Sequence, residues 1–408
     1  MQPKTLLLLG GSAAQVVAIQ KAKELGYRTV LCDYLPDNPG QYLADVFYQV
    51  STTNKAAVLK VAMDESIDGI VAYGSDPAAP TAAFVAEKLG LPGVGSAVAD
   101  AFCEKSLFRE FLCANGFNTP KSLRAHDAVD VSADELEGFH YPLIVKPTDS
   151  SGSKGVTVVE SYDGLAPALV EASKFSRNGI YIIEEFIQRD HPQVIEAEIF
   201  AIHGKVVSWG LMNTIRDADS NPLLPAGYSY PLELPLEREQ IVRSEVSRLI
   251  AACGDVTGAF NIEMIIDSSN RLYFLDAGPR NGGNMLPIYM SYVSGKDVVA
   301  ATLQAAVGDT ESIDCDLDGH SGGYWGLAVL HSARSGRFAG VRYSDLARKC
   351  LVREEIQCEL GEAIRPFERC NDLVGLTFFR FDTVEEMDEA MWNLGAHIEV
   401  LLDGCEQG

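Results

Sequence analysis

The chain has 408 residues, 47% of them hydrophobic and 22% charged, with 33 basic against 57 acidic side chains and a formal net charge of −24. That length exceeds one ordinary core and implies roughly two to four domains. So acidic a balance argues against nucleic acid and anionic membranes as partners, since both need a basic face, but it leaves room for a local cationic pocket.

The nine cysteines form no CxxC pair and leave one over. They read as reduced thiols of a cytoplasmic protein, with no zinc site expected. The start, MQPK followed by TLLLLGG, lacks a charged n-region and a cleavage site, so it reads as a first strand. No apolar run approaches the ~20 residues that span a bilayer.

Residues 5–11, TLLLLGG, form an apolar run ending in Gly-Gly, as a buried parallel strand and its exit turn would. Ser12 can cap the following helix, and Gly26 ends it. YRTVLCD is the next strand, stopping at Asp33, and DGIVAYG (68–74) another, followed by Ser75, Asp76 and the helix TAAFVAEKLG. Strand and helix alternating with short turns predict a doubly wound parallel sheet that binds ligands at its strands' carboxyl ends. Gly10, Gly11, Ser12, Asp33, Ser75 and Asp76 all fall there and are candidate substrate contacts. Gly-Gly-Ser-Ala-Ala does not supply GxGxxG, so a dinucleotide site is not expected.

Residues 99–117 read as one amphipathic helix ending at Gly116, with Lys105 and Arg109 four apart on one face. By themselves those two charges read as a solvated face. In YPLIVKPTDSSGSKGVTVVES (141–161), Lys146 lies in an apolar strand, abnormal for an ammonium without a partner. The small-residue loop after it can offer successive backbone N–H groups to phosphates, although it is not a Walker A sequence. YIIEEFI (181–187) is a strand ending in two carboxylates. VIEAEIFAIHGKVVSWG (194–210) is a strand pair around His203-Gly204, with Glu196 and Glu198 on one face.

Residues 211–235 hold four prolines and no regular period and read as a long, functional loop, with Arg216 and Tyr228 as substrate candidates. An amphipathic helix (236–254) then leads to GAFNIEMIIDSSNRLYFLDAGPRNGGNMLP (258–287). Here two apolar runs flank the turn DSSN as a hairpin. Glu263 sits inside the first and Asp276 at the end of the second. Carboxylates embedded in apolar strands need a cation, and with the arginine and glycines that follow they suit Mg²⁺-bound phosphates. Helices run to about residue 307, then come an acidic linker (308–320) and an α+β remainder.

Taken in order, Lys105 in EKSLFREFLCANGFNTP, Lys146 with the 149–155 loop, EEFI, FNIEMII and GPRNGG resemble the ATP-grasp superfamily of carboxylate–amine ligases. The similarity is to the members akin to glycinamide-ribotide synthetases, biotin carboxylases and carbamoyl-phosphate synthetase halves. It implies an α/β and α+β fold: a doubly wound domain (1–98), a two-lobed ATP-grasp domain (99–310, mobile small lobe about 118–186) and a C-terminal α+β cap (311–408). It also implies ATP and Mg²⁺ (Mn²⁺ being possible), small-molecule carboxylate and amine substrates, and a homodimer as a possibility.

By the same resemblance, Lys105 and Lys146 would contact phosphates, and Ser150, Ser151, Gly152 and Ser153 would close over them. Glu185, Phe186 and Ile187 would bind adenine, with Glu184 at the exocyclic amine. Glu196 or Glu198 would hold the ribose, Glu263 and Asp276 would ligate Mg²⁺, and Arg280 with Lys146 would serve phosphoryl transfer. The expected reaction activates a carboxylate as an acyl phosphate and joins it to an amine, releasing ADP and phosphate. A carboxyphosphate-forming enzyme and a non-catalytic nucleotide-binding protein are the alternatives. Members of the resembled superfamily usually carry Glu-x-Asn where this chain has Asp276-Ala277-Gly278. That puts the second metal position in question, with Asn281 or Asn284 as possible compensating ligands.

Overall fold

The computed structural model describes residues 3–126, 131–150, 152–217, 220–314 and 322–403. In the N-terminal part, β1 (Thr5–Leu9), α1 (Val16–Glu24), β2 (Arg28–Asp33), β3 (Val46–Gln49), α2 (Lys55–Glu65), β4 (Gly69–Val71) and α3 (Ala79–Leu89) follow in order. The strands form a parallel sheet ordered β3-β2-β1-β4, the doubly wound unit read from the sequence. Every residue of β1 is buried, as a strand covered on both faces requires.

The helix expected over 99–117 is two, α4 (Ser96–Phe102) and α5 (Lys105–Ala114). The break comes at Glu104, whose carboxylate accepts from the N–H groups of Ser106 and Leu107 and caps α5. Phe102 and Phe108 meet edge to face at 5.0 Å across the corner. Arg109 is 4% exposed, so the expected solvated face is instead a buried one.

A small lobe follows with β5 (Ser122–Ala125), β6 (Leu143–Pro147), β7 (Thr157–Val159), α6 (Leu165–Ser173) and β8 (Tyr181–Glu185), its antiparallel sheet ordered β5-β8-β6-β7. Next come β9 (Val194–Ile202) and β10 (Lys205–Asp217), joined at His203 (φ 50°) and Gly204 (φ 72°), both left-handed as a tight hairpin turn demands.

The predicted 211–235 loop is largely strand. The second half of β10 pairs with β11 (Asn221–Tyr230), and the register shifts around Arg216, which pairs with Pro225. A bulged stretch tolerates prolines that a regular ladder would reject. The helix α7 (Leu236–Ala252) and the hairpin β12 (Gly258–Ile266) with β13 (Leu272–Gly278) form as read, followed by α8 (Leu286–Ser294) and α9 (Val298–Ala306).

The C-terminal part contains β14 (Tyr324–Leu330), β15 (Gly336–Tyr343), β16 (Leu351–Ile356), β17 (Ala363–Ile364), β18 (Gly375–Phe381) and β19 (Ile398–Asp403). Three of these continue the central sheet, whose order is β13-β12-β9-β10-β11-β14-β18-β16, while β15, β17 and β19 form a small sheet of their own. One large core packs β9, β12 and β13 against α4, α5 and α7, with Phe102, Phe108, Phe260 and Phe274 in it. A second packs β14 and β18 against α8 through Leu327, Phe378 and Tyr289.

Candidate active site

A cleft of about 840 Å³ lies where the small lobe, the central sheet and the N-terminal sheet meet. Of the residues singled out in the sequence, it is lined by Ser12, Asp76, Lys105, Lys146, Ser150, Gly152, Ser153, Glu184, Glu185, Phe186, Ile187, Glu196, Arg216, Tyr228, Glu263, Asp276 and Arg280. Asn284 lines it too, whereas Gly10, Gly11, Asp33, Ser75, Glu198 and Asn281 do not, and Ser151 lies outside the described residues.

Strand pairing places the acidic groups. Glu263 on β12 is directly opposite Asp276 on β13 and Glu196 on β9, so three carboxylates share one row and one face. The next row on that face holds Asn261, opposite Gly278 on one side and Glu198 on the other. Asn261 Nδ2 donates to Glu196 (2.7 Å) and Glu198 (3.1 Å), and Thr214 Oγ1 donates to Glu196 (2.7 Å). Glu198 also accepts from the Gly282 N–H, which ties the glycine loop after β13 to β9. Burial, and then the neighbouring Glu263, push the Glu196 carboxyl up to about 7. Burial pushes Glu198 up to about 8 against the opposing Gly282 N–H.

The cations face this row, each with a carboxylate. Lys105, the first residue of α5, donates to Asp276 Oδ2 (3.0 Å) and to the Ser150 carbonyl (2.9 Å). Burial opposes its charge, but Asp276 and Asp76 outweigh it and raise its pKa. Lys146 on β6 donates to Glu184 Oε2 (2.7 Å), and Arg109 Nε to Glu184 Oε1 (2.5 Å). Burial and the repulsion of Arg109 lower the Lys146 pKa despite the attraction of Glu184. Glu184 itself, 1% exposed, is held at about 2 because two cations overcome its burial. Arg216 reaches Glu263 (3.3 Å) and the Leu223 carbonyl (2.7 Å).

Arg280 donates to Asp76 (2.6 Å), to Asn261 Oδ1 (3.1 Å) and to the Asn281 carbonyl (3.0 Å). Asn281 is buried and donates to Thr302, and Asn284 donates to Tyr228, so each of these side chains is already engaged. The small-lobe loop lies over the cleft: Ser153 (φ 54°) donates to the Leu223 carbonyl at 2.8 Å, and Gly152 rests on Cys370, where an added Cβ would come within 2.8 Å of the sulfur. At the lobe junction, Glu185 and Phe186 donate their backbone N–H groups to the Lys121 and Pro142 carbonyls, leaving the Phe186 ring exposed.

Sequence reasoning missed Arg109, Asn261 and the Cys370, Asn371 and Leu373 wall contributed by the C-terminal part. Asn261 was within reach, since it stands two residues before Glu263 and so shares its face. Arg109 was visible but lacked a sign of burial. Nothing local marks residues 370–373.

Among the described residues no group of three or more His, Cys, Asp or Glu is poised around a metal position. Two opposed carboxylates, Glu263 and Asp276, nonetheless fit Mg²⁺, which takes one or two carboxylates and keeps several waters.

The family profile described as "Carbamoyl-phosphate synthase L chain, ATP binding domain" matches residues 104–313, about half of the chain. Among curated relatives, the pyruvate carboxylase of Komagataella pastoris is 26% identical over 260 residues, covering 62% of this chain and 21% of that protein. The formate-dependent phosphoribosylglycinamide formyltransferase of Prochlorococcus marinus is 28% identical over 295 residues, 68% of this chain and 70% of its own length. The chain thus spans about a fifth of the carboxylase. Among solved structures, the L-amino acid ligase of Bacillus licheniformis superposes with a TM-score of 0.79 at 20% identity, covering 99% of this chain and all of that one. The phosphoribosylglycinamide synthetase of Anaerococcus prevotii gives 0.75 at 21%, covering 98% and 100%. At such identities these likenesses speak for the fold, and the profile match speaks for the family. The chain belongs to the ATP-grasp ligases, in the branch defined by the ATP-binding domain of the carbamoyl-phosphate synthase L chain.

Proposed function

We propose that this protein is an ATP- and Mg²⁺-dependent ligase that activates a substrate carboxylate as an acyl phosphate and joins it to an amine. One observation carries the reading. Lys105, Lys146 and Arg280, from three separate elements, converge on one cleft in which Glu263 and Asp276 stand opposed and a glycine loop forms the lid. That is an arrangement for a polyphosphate with its cation.

On this reading adenine lies at residues 185–187, with the ribose beside Glu196. Lys105, Lys146 and the amides of Gly152 and Ser153 take the phosphate oxygens. Glu263 and Asp276 would hold Mg²⁺, which supplies neutralisation of charge on the transferring phosphoryl group. Glu184 has another part: its carboxylate is taken by Arg109 and Lys146, so it sets where the Lys146 ammonium points.

As the γ-phosphoryl group transfers, a carboxylate oxygen attacks phosphorus and the bond to the ADP oxygen breaks, and Arg280 takes the charge that develops on the group only during that transfer. An amine nitrogen then attacks the acyl carbon and loses its proton, and phosphate leaves. Positioning and exclusion of water do the rest, with the small lobe as the cover.

The test is ADP and phosphate release with Mg·ATP across a matrix of carboxylates and amines, with bicarbonate as one arm and Glu263→Gln in parallel. Turnover that needs one carboxylate and one amine, and that vanishes in the variant, is the expected result. Turnover on bicarbonate alone would assign the carboxyphosphate chemistry that the pyruvate carboxylase likeness suggests. Tight ATP binding without turnover on any pair would sink both.

A further inference from the structure

Gly278 stands where the resemblance leads one to expect an asparagine side chain, and the structure shows what fills that volume. A Cβ at 278 would lie 2.7 Å from Asp76 Oδ1, 2.9 Å from Arg280 Cζ and 3.0 Å from Arg280 Nε. Those atoms belong to one ion pair, in which Nε and Nη2 of Arg280 each lie 2.6 Å from Asp76 Oδ1. Real Cβ atoms essentially never come closer than 3.0 Å to a neighbour, so any side chain at 278 requires this pair to shift. Gly278 ends β13 as an ordinary extended residue, so the glycine answers to space and not to backbone conformation.

The two partners come from different parts of the chain. Asp76 follows β4 of the N-terminal sheet, and Arg280 lies 204 positions later in the loop after β13. The other terminal nitrogen, Nη1, is spent on Asn261 Oδ1 and the Asn281 carbonyl. Asn261 in turn donates to Glu196 and Glu198. A continuous chain of hydrogen bonds therefore runs from the N-terminal sheet through the guanidinium to the carboxylates of β9. Without Asp76, the guanidinium keeps two neutral acceptors on one nitrogen and is free to swing about them.

We infer that Asp76 is a positioning residue that holds the Arg280 guanidinium in the cleft, and that this pair occupies the volume of the asparagine side chain that the resemblance leads one to expect at position 278. The missing ligand is then a consequence of how the arginine is held. Restoring asparagine at 278 would displace Arg280 before it offered anything to a cation. The effect on turnover rests on the role proposed above for Arg280; the anchoring does not.

The experiment uses the full chain with Asp76→Asn, Gly278→Ala and the double variant, scored by the affinity for Mg·ATP from calorimetry and by kcat for ADP release. Displacing a reacting group by about 1 Å costs about 100-fold in rate. Each single change is expected to lower kcat by roughly ten- to a hundredfold, with Mg·ATP affinity changing less than about threefold. The double variant should be no worse than the poorer single, because both disturb one contact. Gly278→Ala with unchanged kcat, losses that multiply, or ATP affinity falling as far as kcat would each overturn the inference. A crystal structure of Gly278→Ala reads the anchoring without turnover. Arg280 must leave hydrogen-bond distance of Asp76, and a pair that survives the added methyl refutes the inference. If wild type binds Mg·ATP and turns over no substrate pair, the proposed function fails while that distance still decides this point.

Discussion

Glu184 is a buried carboxylate shared by two cations, and replacing it by glutamine tests the site's electrostatics. The residue is 1% exposed, and its carboxylate serves Arg109 and Lys146 together. Against its burial, those two cations hold its pKa at about 2 instead of the ordinary 4.5. At 1.36 kcal/mol per pKa unit that difference is worth about 3 kcal/mol, within the roughly 3–5 kcal/mol typical of breaking a buried pair from one side. With roughly 2.1 cal/mol/K of unfolding entropy per residue, such a loss lowers Tm by about 4 °C if the chain melts as one unit.

The sign with pH follows from linkage. A carboxyl whose folded pKa is depressed contributes its stability above the unfolded value and loses it as pH falls through the folded one. Wild type should therefore exceed Glu184→Gln in calorimetric Tm by the full margin at pH 7. The margin should start to shrink below about pH 4.5 and go on shrinking toward pH 2. A variant melting within 1 °C of wild type at pH 7, or a gap that stays constant down to pH 3.5, would refute the reasoning.

Lys105→Ala should weaken ATP binding by roughly ten- to a hundredfold, the worth of one charge-assisted hydrogen bond, and leave adenosine binding unchanged; equal losses for both ligands in calorimetry would place Lys105 elsewhere. Excess chelator should stop ADP release and Mg²⁺ restore it, with Asp276→Asn needing more Mg²⁺ for half the rate; turnover that persists in chelator would remove the metal from the mechanism. Phe378→Ala, at a side chain fully buried between β14, β18 and α8, should cost about 3–5 kcal/mol in denaturant unfolding. A loss under about 1 kcal/mol there would mean that the C-terminal strands do not share the central core.

Elements whose signals are local were legible. The 258–278 hairpin follows from two apolar runs around DSSN, and the β9–β10 turn from His203-Gly204. The failures have specific causes. Prolines 222 and 225 argued against a strand, yet the register shift beside Arg216 accommodates them. The break between α4 and α5 was hidden because its cap is a glutamate, a residue that rarely signals a helix start. That β14 pairs with β11, and β18 with β14, depends on contacts between segments far apart in the chain, which no periodicity encodes.

The candidate site divides along the same line. Lys146 and Glu263 were singled out because a charge sits in an apolar strand, and both line the cleft; of Glu196 and Glu198, singled out for sharing one face, only Glu196 does. A buried charge must have its counter-charge nearby, so such a position draws the rest of a polar site around it. Of the residues singled out at the ends of the N-terminal strands, Ser12 and Asp76 line it, while Gly10, Gly11, Asp33 and Ser75 do not. The Gly11 N–H is taken by the Asp33 carboxylate at 2.7 Å, and the Ser75 carbonyl accepts from the first turn of α3. Small polar residues at turns satisfy their own backbone, which needs no ligand. What no strand could disclose was the identity of each partner: 75 residues separate Arg109 from Glu184, 171 separate Lys105 from Asp276 and 204 separate Asp76 from Arg280. The need for a counter-charge is written locally, while its supplier is set by topology.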